Sequence, residues 1–289
     1  MFNELVKPVS AKWLSNQLGL IHIGKDVLVK RVSSFDDASA NSISYSKNIV
    51  HKADVDDIVL ISSDTDISIF KSKITSPNPR LTFAKITNFL KISPGYFKSS
   101  KKPVIGRDTN ISSSAKLGFG VYVGDRTVIG HNVVVADGVK IGKDCYIKSN
   151  TVIGEDGFGF ERDEDGIPIK IQHLGSVIIG DRVEIGSLNT VCRATLGVTV
   201  IEDDVKTDDH VHVAHNCKIG KGSLITACVE FSGGVELGKY CWVGPNSSII
   251  EKTKIGNNCF IGIGSNVTKN FEDNKFLAGN PARAIIKRS

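Results

Sequence analysis

Large apolar residues recur at every sixth position over most of the chain from residue 105 onward. The same spacing returns at Ile201 and runs to Val267, with Thr207 as the one polar exception. The residue two places before each of these positions is nearly always small or β-branched. Because side chains alternate along a strand, both residues point to the same face. Each six-residue unit is therefore predicted to be a short strand with two inward side chains, followed by a turn. The first run comprises Ile105, Ile111, Leu117, Val123, Ile129, Val135, Ile141, Ile147 and Ile153.

This spacing predicts a parallel β-helix, because repeats of six residues are a signature of that fold. Three such units form one coil of triangular cross-section. An α-helix does not fit, since a period of six does not match 3.6 and the repeated residues are mainly Ile and Val. We predict a mainly β protein with a small N-terminal α/β domain in residues 1–100 and a β-helix domain in residues 101–289.

The N-terminal hundred residues lack the six-residue period and carry helix signals instead. Ser10 is placed to cap a short helix that ends before Gly19. Asn78 followed by Pro79 is placed to begin a second helix. The segments DVLVKRV, SISYS and DIVLIS between them predict short strands.

The six-residue period is interrupted twice. A long insertion separates Ile153 from Ile179, and ten residues rather than six separate Val191 from Ile201. Insertions in repeat proteins become loops on one face, and that face is often the binding face. We therefore expect the functional residues near these two interruptions.

Composition excludes several functional classes. The 289 residues carry a formal charge of +5 with Lys and Arg scattered, which argues against a nucleic-acid partner. No apolar run is long enough to cross a membrane, and the N-terminus lacks a signal peptide, so a cytoplasmic location without membrane insertion is expected. Four of the six cysteines fall on small inward positions and are expected to be buried and unpaired. They are Cys145, Cys217, Cys241 and Cys259.

His215 is the leading candidate for chemistry. It stands two residues after the inward Val213, at a predicted turn. An amine that attacks a thioester must lose a proton, and imidazole suits that task. An exposed turn histidine without function is the alternative. Together with His210 and His212 it forms an HxHxxH pattern that could bind zinc, but no further ligand is evident and we predict no metal.

Several separate segments resemble the UDP-(3-O-acyl)glucosamine N-acyltransferases of lipid A synthesis, which are hexapeptide acyltransferases. The resemblance covers roughly residues 15 to 245 and implies a left-handed β-helix, a homotrimer and His215 as general base. The segments that carry it are VKRVSSFDDASANSISY, NPRLTFAKI, IGEDGFGF, HLGSVIIGDRVEIG and DDHVHVAHNCKIG.

The resemblance also assigns roles around this histidine and in the N-terminal domain. Gly233 lies one coil after His215 and takes the place of a glycine whose N–H binds the oxyanion; an ordinary turn glycine is the alternative. Asp208 and Asp209 stand where the family has an acidic or amide pair, to orient His215 or to hold the sugar; solvated turn residues are the alternative. Tyr45 and Asn48 match residues that hold the uracil base, although His51 replaces the second aromatic of that site, and a strand core role for Tyr45 stays open. The remaining candidates are Phe158 and Phe160 in the inserted loop, which could wall the acyl or acceptor pocket, and His173 at its end.

Two departures from this family shape the functional prediction. Lys252 stands where the family has a substrate-associated histidine. The ending FLAGNPARAIIKRS resembles sugar N-acetyltransferases, and it predicts that Asn280, Pro281 and Ala282 line the pantetheine slot of coenzyme A. The alternative for this segment is a cap on the β-helix.

From these features we predict N-acylation of a nucleotide-linked amino-deoxysugar, such as a dTDP-amino-dideoxyhexose for surface polysaccharide, with acyl-CoA as co-substrate. One alternative is the lipid A reaction on UDP-(3-O-acyl)glucosamine, with acyl carrier protein as the donor. The other alternative is a scaffold without catalytic activity.

Overall fold

The computed structural model describes residues 3–46, 57–63 and 70–285. The chain folds as two separately packed units. Residues 1–98 and 159–174 form the N-terminal unit, and residues 99–158 and 175–289 form the second. The sequence places 159–174 in the β-helix domain, whereas the structure groups this segment with the N-terminal residues.

The N-terminal unit is a six-stranded mixed sheet with two helices. The elements are β1 (Glu4–Ser10), α1 (Ala11–Gln17), β2 (Ile21–Gly24), β3 (Leu28–Val32), β4 (Ser42–Tyr45), β5 (Ile58–Ser62), β6 (Ser72–Thr75) and α2 (Pro79–Ile92). The strands follow the order β1-β3-β4-β5-β6-β2, with β3 to β6 parallel and the two outer strands antiparallel to their neighbours. The sequence predicts β3, β4 and β5 but not β6 or the outer strands.

Both predicted helix starts are present. The Ser10 side chain accepts a hydrogen bond from the main-chain N–H of Trp13, and the Asn78 side chain accepts one from Leu81. Each bond satisfies an N–H group that the first turn of a helix leaves without an internal partner. Among the described residues, no helix is both long and apolar enough to cross a membrane.

The second unit is the predicted parallel β-helix, built mostly from two-residue strands. The strands before the first insertion are β7 (Val104–Ile105), β8 (Asn110–Ile111), β9 (Lys116–Leu117), β10 (Tyr122–Val123), β11 (Val128–Ile129), β12 (Val134–Val135), β13 (Lys140–Ile141), β14 (Tyr146–Ile147) and β15 (Val152–Asp156). The first insertion contains β16 (Phe160–Arg162) and β17 (Pro168–Lys170). After it come β18 (Ser176–Ile179), β19 (Glu184–Ile185), β20 (Thr190–Arg193), β21 (Val198–Ile201), β22 (Lys206–Thr207), β23 (His212–Val213), β24 (Lys218–Ile219), β25 (Leu224–Ile225), β26 (Glu230–Phe231), β27 (Glu236–Leu237), β28 (Trp242–Val243), β29 (Ser248–Ile249), β30 (Lys254–Ile255), β31 (Phe260–Ile261), β32 (Asn266–Val267), β33 (Phe276–Ala278) and β34 (Arg283–Ile285).

These strands form three sheets, which are the faces of the prism. The first face holds β7, β10, β13, β18, β21, β24, β27 and β30, and the third holds β9, β12, β15, β20, β23, β26, β29 and β32. The second face holds β8, β11, β14, β19, β22, β25, β28, β31, β33 and β34. We call the turn that follows each face the first, second or third corner. The third corner thus joins the third face to the first face of the next coil.

The inward residues of the three faces form one continuous core. Val123, Ile141 and Ile219 are at most 1% exposed, and the four cysteines at inward positions are also buried. Thr207, the polar exception to the period, is 6% exposed. Its hydroxyl accepts a hydrogen bond from the N–H of Gly186 at 3.1 Å, which offsets the cost of burying it.

The outward residues differ between faces. Lys218, Glu236 and Lys254 follow one another on the first face, where charged side chains meet water. The second face carries instead an apolar row formed by Leu224, Trp242, Phe260 and Phe276. The Trp242 and Phe260 rings are stacked with centroids 6.3 Å apart, and Phe260 and Phe276 with centroids 5.2 Å apart.

The first insertion folds back as a β-hairpin in the N-terminal unit. Its strands β16 and β17 are antiparallel, with Glu161 opposite Ile169. Arg80 and Lys85 of α2 pair with Glu161 and Glu164 of the hairpin at 2.5 Å and 3.0 Å. Asn88 of α2 also donates to the Lys170 carbonyl at 2.6 Å. These polar contacts explain why residues 159–174 group with the N-terminal unit.

Candidate active site

Both interruptions of the six-residue period and the leading candidate residues lie at the third corner. The first insertion leaves the prism between β15 and β18, and the second lies between β20 and β21. His215 follows β23, Gly233 follows β26 and Lys252 follows β29. Both insertions therefore begin at this corner, and His215, Gly233 and Lys252 lie there on successive coils. We take the corner as the candidate active site.

His215 is half-buried at this corner and is held by its neighbour Asn216. Its ring Nδ1 lies 3.1 Å from Asn216 Oδ1. The Asn216 amide in turn binds the second insertion, through Thr195 at 2.9 Å and through the Leu196 carbonyl at 2.8 Å. The histidine is thus an oriented side chain rather than a loose surface group.

Gly233 lies directly against the His215 ring. A Cβ added at Gly233 would come within 2.7 Å of His215 Cε1 and 2.9 Å of Nε2, so no larger residue fits while the ring stays in place. The main-chain N–H groups of Ser232 and Gly234 donate to the carbonyls of Ile249 and His215. Within the described part of the chain, the Gly233 N–H between them makes no such bond. This N–H beside the imidazole is what an oxyanion donor requires.

The histidines of the HxHxxH pattern do not form a metal-binding group among the described residues. His212 points outward from the third face, where Nδ1 lies 2.6 Å from Thr190 Oγ1. Burial lowers the pKa of His212, although the Glu230 carboxylate opposes this effect. His210 lies at the second corner, before β23. Across residues 3–46, 57–63 and 70–285, no three His, Cys, Asp or Glu side chains are grouped to hold a metal ion.

Asp208 and Asp209 are not brought to His215 within one chain. They lie at the second corner, between β22 and β23, so the whole third face separates them from the third corner. The Asp209 carboxylate accepts from the Ser187 N–H at 2.7 Å, and Asp208 Oδ1 accepts from the Asp209 N–H at 2.8 Å. The expectation that Asp208 orients His215 is not met in the single chain, where Asn216 makes that contact instead. A role in holding the sugar stays a prediction.

Lys252 is exposed at the third corner, one coil beyond Gly233. Its main-chain N–H donates to the Gly233 carbonyl at 2.9 Å. Its side-chain stem runs over Gly234, whose added Cβ would lie 3.6 Å from Lys252 Cγ. The ammonium group thus belongs to the same corner as His215, and its contact with substrate stays a prediction.

In the N-terminal unit, Tyr45 packs against α2. Its ring centroid is 4.8 Å from that of Phe83, with the planes at 42°. This contact is compatible with the core role that the sequence leaves open. Asn48 and His51, the other residues of the predicted base site, lie outside the described residues.

The remaining predicted site residues are spread over both units. Phe158 is 87% exposed in the β-helix unit, and Phe160 begins the hairpin of the N-terminal unit. His173 is buried, with Nδ1 3.0 Å from the Ile171 carbonyl, and its ring packs against Gly159. Phe160 and His173 thus belong to a different unit from His215.

The segment predicted to bind coenzyme A closes the last coil. The Ala282 N–H donates to the Asn266 carbonyl at 2.7 Å, and the Asn266 N–H donates to Gly279 at 3.0 Å. Ala282 is fully buried, whereas Asn280 and Pro281 are exposed. These contacts are those of a cap on the β-helix, which is the alternative interpretation of this segment.

Three residues at the third corner were not predicted from the sequence. Asn216 and Thr195 hold His215 as described above. Arg193 donates to the Gly154 carbonyl and lies 3.8 Å from the Asp156 carboxylate, so it joins the points where the two insertions begin. The interruption of the period between Val191 and Ile201 was the available signal for Arg193 and Thr195.

Comparison with known proteins identifies the family to which this chain is related. Residues 120–155, 199–233 and 234–269 match the family described as bacterial transferase hexapeptide (six repeats). The UDP-3-O-acylglucosamine N-acyltransferase of Campylobacter lari is 35% identical over 299 residues, covering 91% of this chain and 90% of its own length. The enzyme of the same name from Janthinobacterium sp. (strain Marseille) is 39% identical over 118 residues, covering 41% of this chain and 33% of its own length.

A crystal structure of UDP-N-acetylglucosamine acyltransferase superposes with a TM-score of 0.57 over 65% of this chain and 71% of that one. At 23% sequence identity, this similarity shows the shared β-helix fold and no more.

These relatives overturn two of the predictions made above. The predicted acceptor, a dTDP-amino-dideoxyhexose, is wrong, because proteins named for UDP-3-O-acylglucosamine match the chain, one of them nearly end to end. The predicted co-substrate acyl-CoA is wrong as well, because the chain matches UDP-3-O-acylglucosamine N-acyltransferases, for which the resemblance described above implies acyl carrier protein as the donor. Both errors came from the weight given to single residues, such as Lys252, and to the closing segment, whose contacts are those of a cap.

The scaffold alternative is also set aside, since the relatives are N-acyltransferases over both units of the chain. The six-residue period, the histidine at the third corner and the similarity over 91% of the chain all indicate the same family. The chain therefore belongs to the family of the UDP-3-O-acylglucosamine N-acyltransferases, a family of hexapeptide-repeat transferases.

Proposed function

We propose that this protein transfers an acyl group to the amine of UDP-3-O-acylglucosamine, in lipid A synthesis. The observation that carries the proposal is the similarity to the Campylobacter lari enzyme over 91% of this chain. That similarity spans the N-terminal unit as well as the β-helix. The position of His215 against Gly233 supports it, because the arrangement suits acyl transfer from a thioester.

In the proposed reaction, His215 acts as the general base. It takes a proton from the sugar amine as the nitrogen attacks the thioester carbonyl carbon. A C–N bond forms, the C–S bond breaks, and the proton passes from the imidazolium to the leaving thiolate. A positioned base of this kind contributes ~10²–10⁴ in rate.

The Gly233 N–H is the proposed donor to the oxyanion of the tetrahedral intermediate. It lies beside the His215 ring and makes no main-chain bond within the described residues. Lys252 on the following coil supplies a positive charge suited to the diphosphate of the substrate. Tyr45 and Asn48 stay the candidates for holding the uracil base.

Acyl carrier protein is the proposed acyl donor, as the family resemblance implies. The proposed assembly is a homotrimer, and the apolar row on the second face supports it. Trp242 and Phe260 expose 40% and 39% of their surface there, while the first face of the same coils carries Lys218, Glu236 and Lys254. A contiguous apolar row of this kind favours burial against another subunit. The cytoplasmic location stays a prediction from the N-terminal sequence.

Mass spectrometry of the purified protein with UDP-3-O-acylglucosamine and acyl carrier protein carrying a hydroxyacyl group tests the proposal. We expect an N-acylated product, and at least ~10²-fold less of it from the His215→Ala variant at the same early time point. A matched reaction with acyl-CoA should be much slower. Failure to acylate this acceptor, with turnover of another nucleotide amino sugar, would contradict the proposed substrate.

A further inference from the structure

The four extra residues between β20 and β21 close over the side chain of Asn216. The N–H and the hydroxyl of Thr195 lie 3.0 Å and 2.9 Å from Asn216 Oδ1. Asn216 Nδ2 donates to the Leu196 carbonyl at 2.8 Å, and the Asn216 main-chain N–H donates to Thr199 Oγ1 at 2.9 Å. Both the oxygen and the nitrogen of the Asn216 side-chain amide are therefore bound by the inserted loop.

These bonds fix which way the amide points. A main-chain N–H can only donate and a carbonyl can only accept, so Oδ1 must face Thr195 and Nδ2 must face Leu196. The same Oδ1 lies 3.1 Å from Nδ1 of His215. Because that oxygen only accepts, His215 Nδ1 must donate. Neutral His215 thus carries its proton on Nδ1 and its lone pair on Nε2.

Corner asparagines without an inserted loop are held differently. At the second corner, Asn132 Nδ2 donates to Asn150 Oδ1 of the next coil at 3.2 Å. Two side-chain amides that bind one another can both turn over together. The main-chain groups of the inserted loop cannot exchange donor for acceptor, so they impose one orientation.

We infer that this loop is a clamp that selects the Nδ1–H tautomer of His215, and that Thr195 is a positioning residue acting through Asn216. The inference deepens the proposed function, which needs Nε2 as the proton acceptor. An amide turned by half a rotation would present Nδ2 to the ring and favour a proton on Nε2. That tautomer cannot accept a proton at the nitrogen beside Gly233.

Nitrogen-15 spectra of histidine-labelled protein test the clamp without any substrate. The His215 signals are assigned by their loss in His215→Ala, and they report which ring nitrogen carries the proton. We expect Nδ1–H in the native protein and a mixture of tautomers in Asn216→Gly, where glycine keeps the positive φ of 62° at this position. An unchanged tautomer in Asn216→Gly would overturn the inference.

A double-mutant cycle on kcat tests whether Thr195 acts through Asn216. Thr195→Val removes one hydrogen bond and should lower kcat about 5-fold with KM unchanged. Thr195→Ser should restore the native rate. Asn216→Gly should lower kcat on the order of 10²-fold, and adding Thr195→Val to it should lower kcat no further. If the kcat losses of the two single variants multiplied in the double variant, Thr195 would act by a route that does not pass through Asn216.

Thr226→Val is the matched control. Thr226 is a threonine at the second corner whose hydroxyl donates to the Val243 carbonyl at 2.7 Å, so the variant removes a similar bond away from His215. It should leave kcat and the His215 spectrum unchanged. If the protein turns over no substrate in any assay, the proposed function fails, while the spectra still decide whether the clamp exists.

Discussion

The first and third corners of the same prism are built from the same repeat and yet differ in what their polar side chains do. At the first corner, the turns keep their regular length, and side chains of successive coils pair with one another. Arg126 binds Asp144 at 2.6 Å, and Arg182 binds Asp204 at 2.6 Å. These contacts repeat along the prism axis and are exposed to water.

At the third corner, extra main chain enters at two points and the polar side chains bind it. Arg193 reaches the Gly154 carbonyl, and Asn216 binds Thr195 and Leu196. At a regular corner of the β-helix, polar side chains are thus paired with side chains at the same corner of the neighbouring coil. Where the period is interrupted, irregular backbone can hold one side chain in one orientation, which catalysis requires.

The largest effect is expected from His215→Ala at the third corner. Loss of the base should lower kcat by ~10²–10⁴ without unfolding the protein, since the ring is only half-buried. Steady-state kinetics measures the loss of kcat, and circular dichroism checks that the fold is intact. His131→Ala is the control, because His131 is also a corner histidine but lies at the second corner, bonded to Ser112 at 2.8 Å. A near-normal kcat in His215→Ala would show that the third corner is not the active site.

A smaller loss is expected from Gly233→Ala. The new methyl group would stand 2.7 Å from His215 Cε1 and must displace the ring. We expect kcat to fall by about 10- to 100-fold, since the misplaced base no longer meets the amine correctly. Gly262→Ala serves as the control, because its Cβ would meet no atom closer than 3.4 Å. Equal activity of the two variants would argue against close packing at His215.

Arg193→Ala should affect stability. The arginine is only 14% exposed as a side chain and joins the bases of both insertions. Its loss leaves the Gly154 carbonyl without this donor and should cost about 2 kcal/mol of unfolding free energy. Urea titration measures the change. A variant as stable as the native protein would show that the two insertions are held by other contacts.

The smallest effect is expected from Arg126→Gln at the first corner. The hydrogen bond from Arg126 holds the pKa of Asp144 below its usual value. A lowered carboxyl pKa stabilises the fold above the pKa of the unfolded chain, and that stabilisation is lost as the pH falls through the folded value. The variant should therefore melt slightly lower than the native protein at pH 7, and the difference should shrink as the pH falls below about 4 and through the lower folded-state pKa of Asp144. If the difference in melting temperature persisted in acid, it would not come from the pairing of Arg126 with Asp144.

Much of the fold could be predicted from the sequence because the repeat is a local rule. Each coil hydrogen-bonds to the next, so an inward Ile or Val at every sixth residue defines the core without knowledge of distant segments. The caps at Ser10 and Asn78 were predictable for the same reason.

What could not be predicted depends on contacts far apart in sequence. The hairpin of residues 159–174 belongs with α2 because of ion pairs some eighty residues away, which no local pattern reveals. Asp208 lies close to His215 in sequence but at another corner, because the two-residue strand β23 and its turn lie between them. The sugar that accepts the acyl group was misassigned for a related reason. The single residue Lys252 was given more weight than the resemblance spread over many segments of the chain.

The stacking of coils also sets how the protein can come apart. Each coil is bonded to the one before and the one after, so opening can begin at an edge of the stack, such as β34 at the edge of the second face. The coil that holds His215 is followed by those that hold Gly233 and Lys252, and then by the closing cap. Amide hydrogen exchange should accordingly become slower from the cap inward, and catalytic geometry would outlast the loss of the terminal strands.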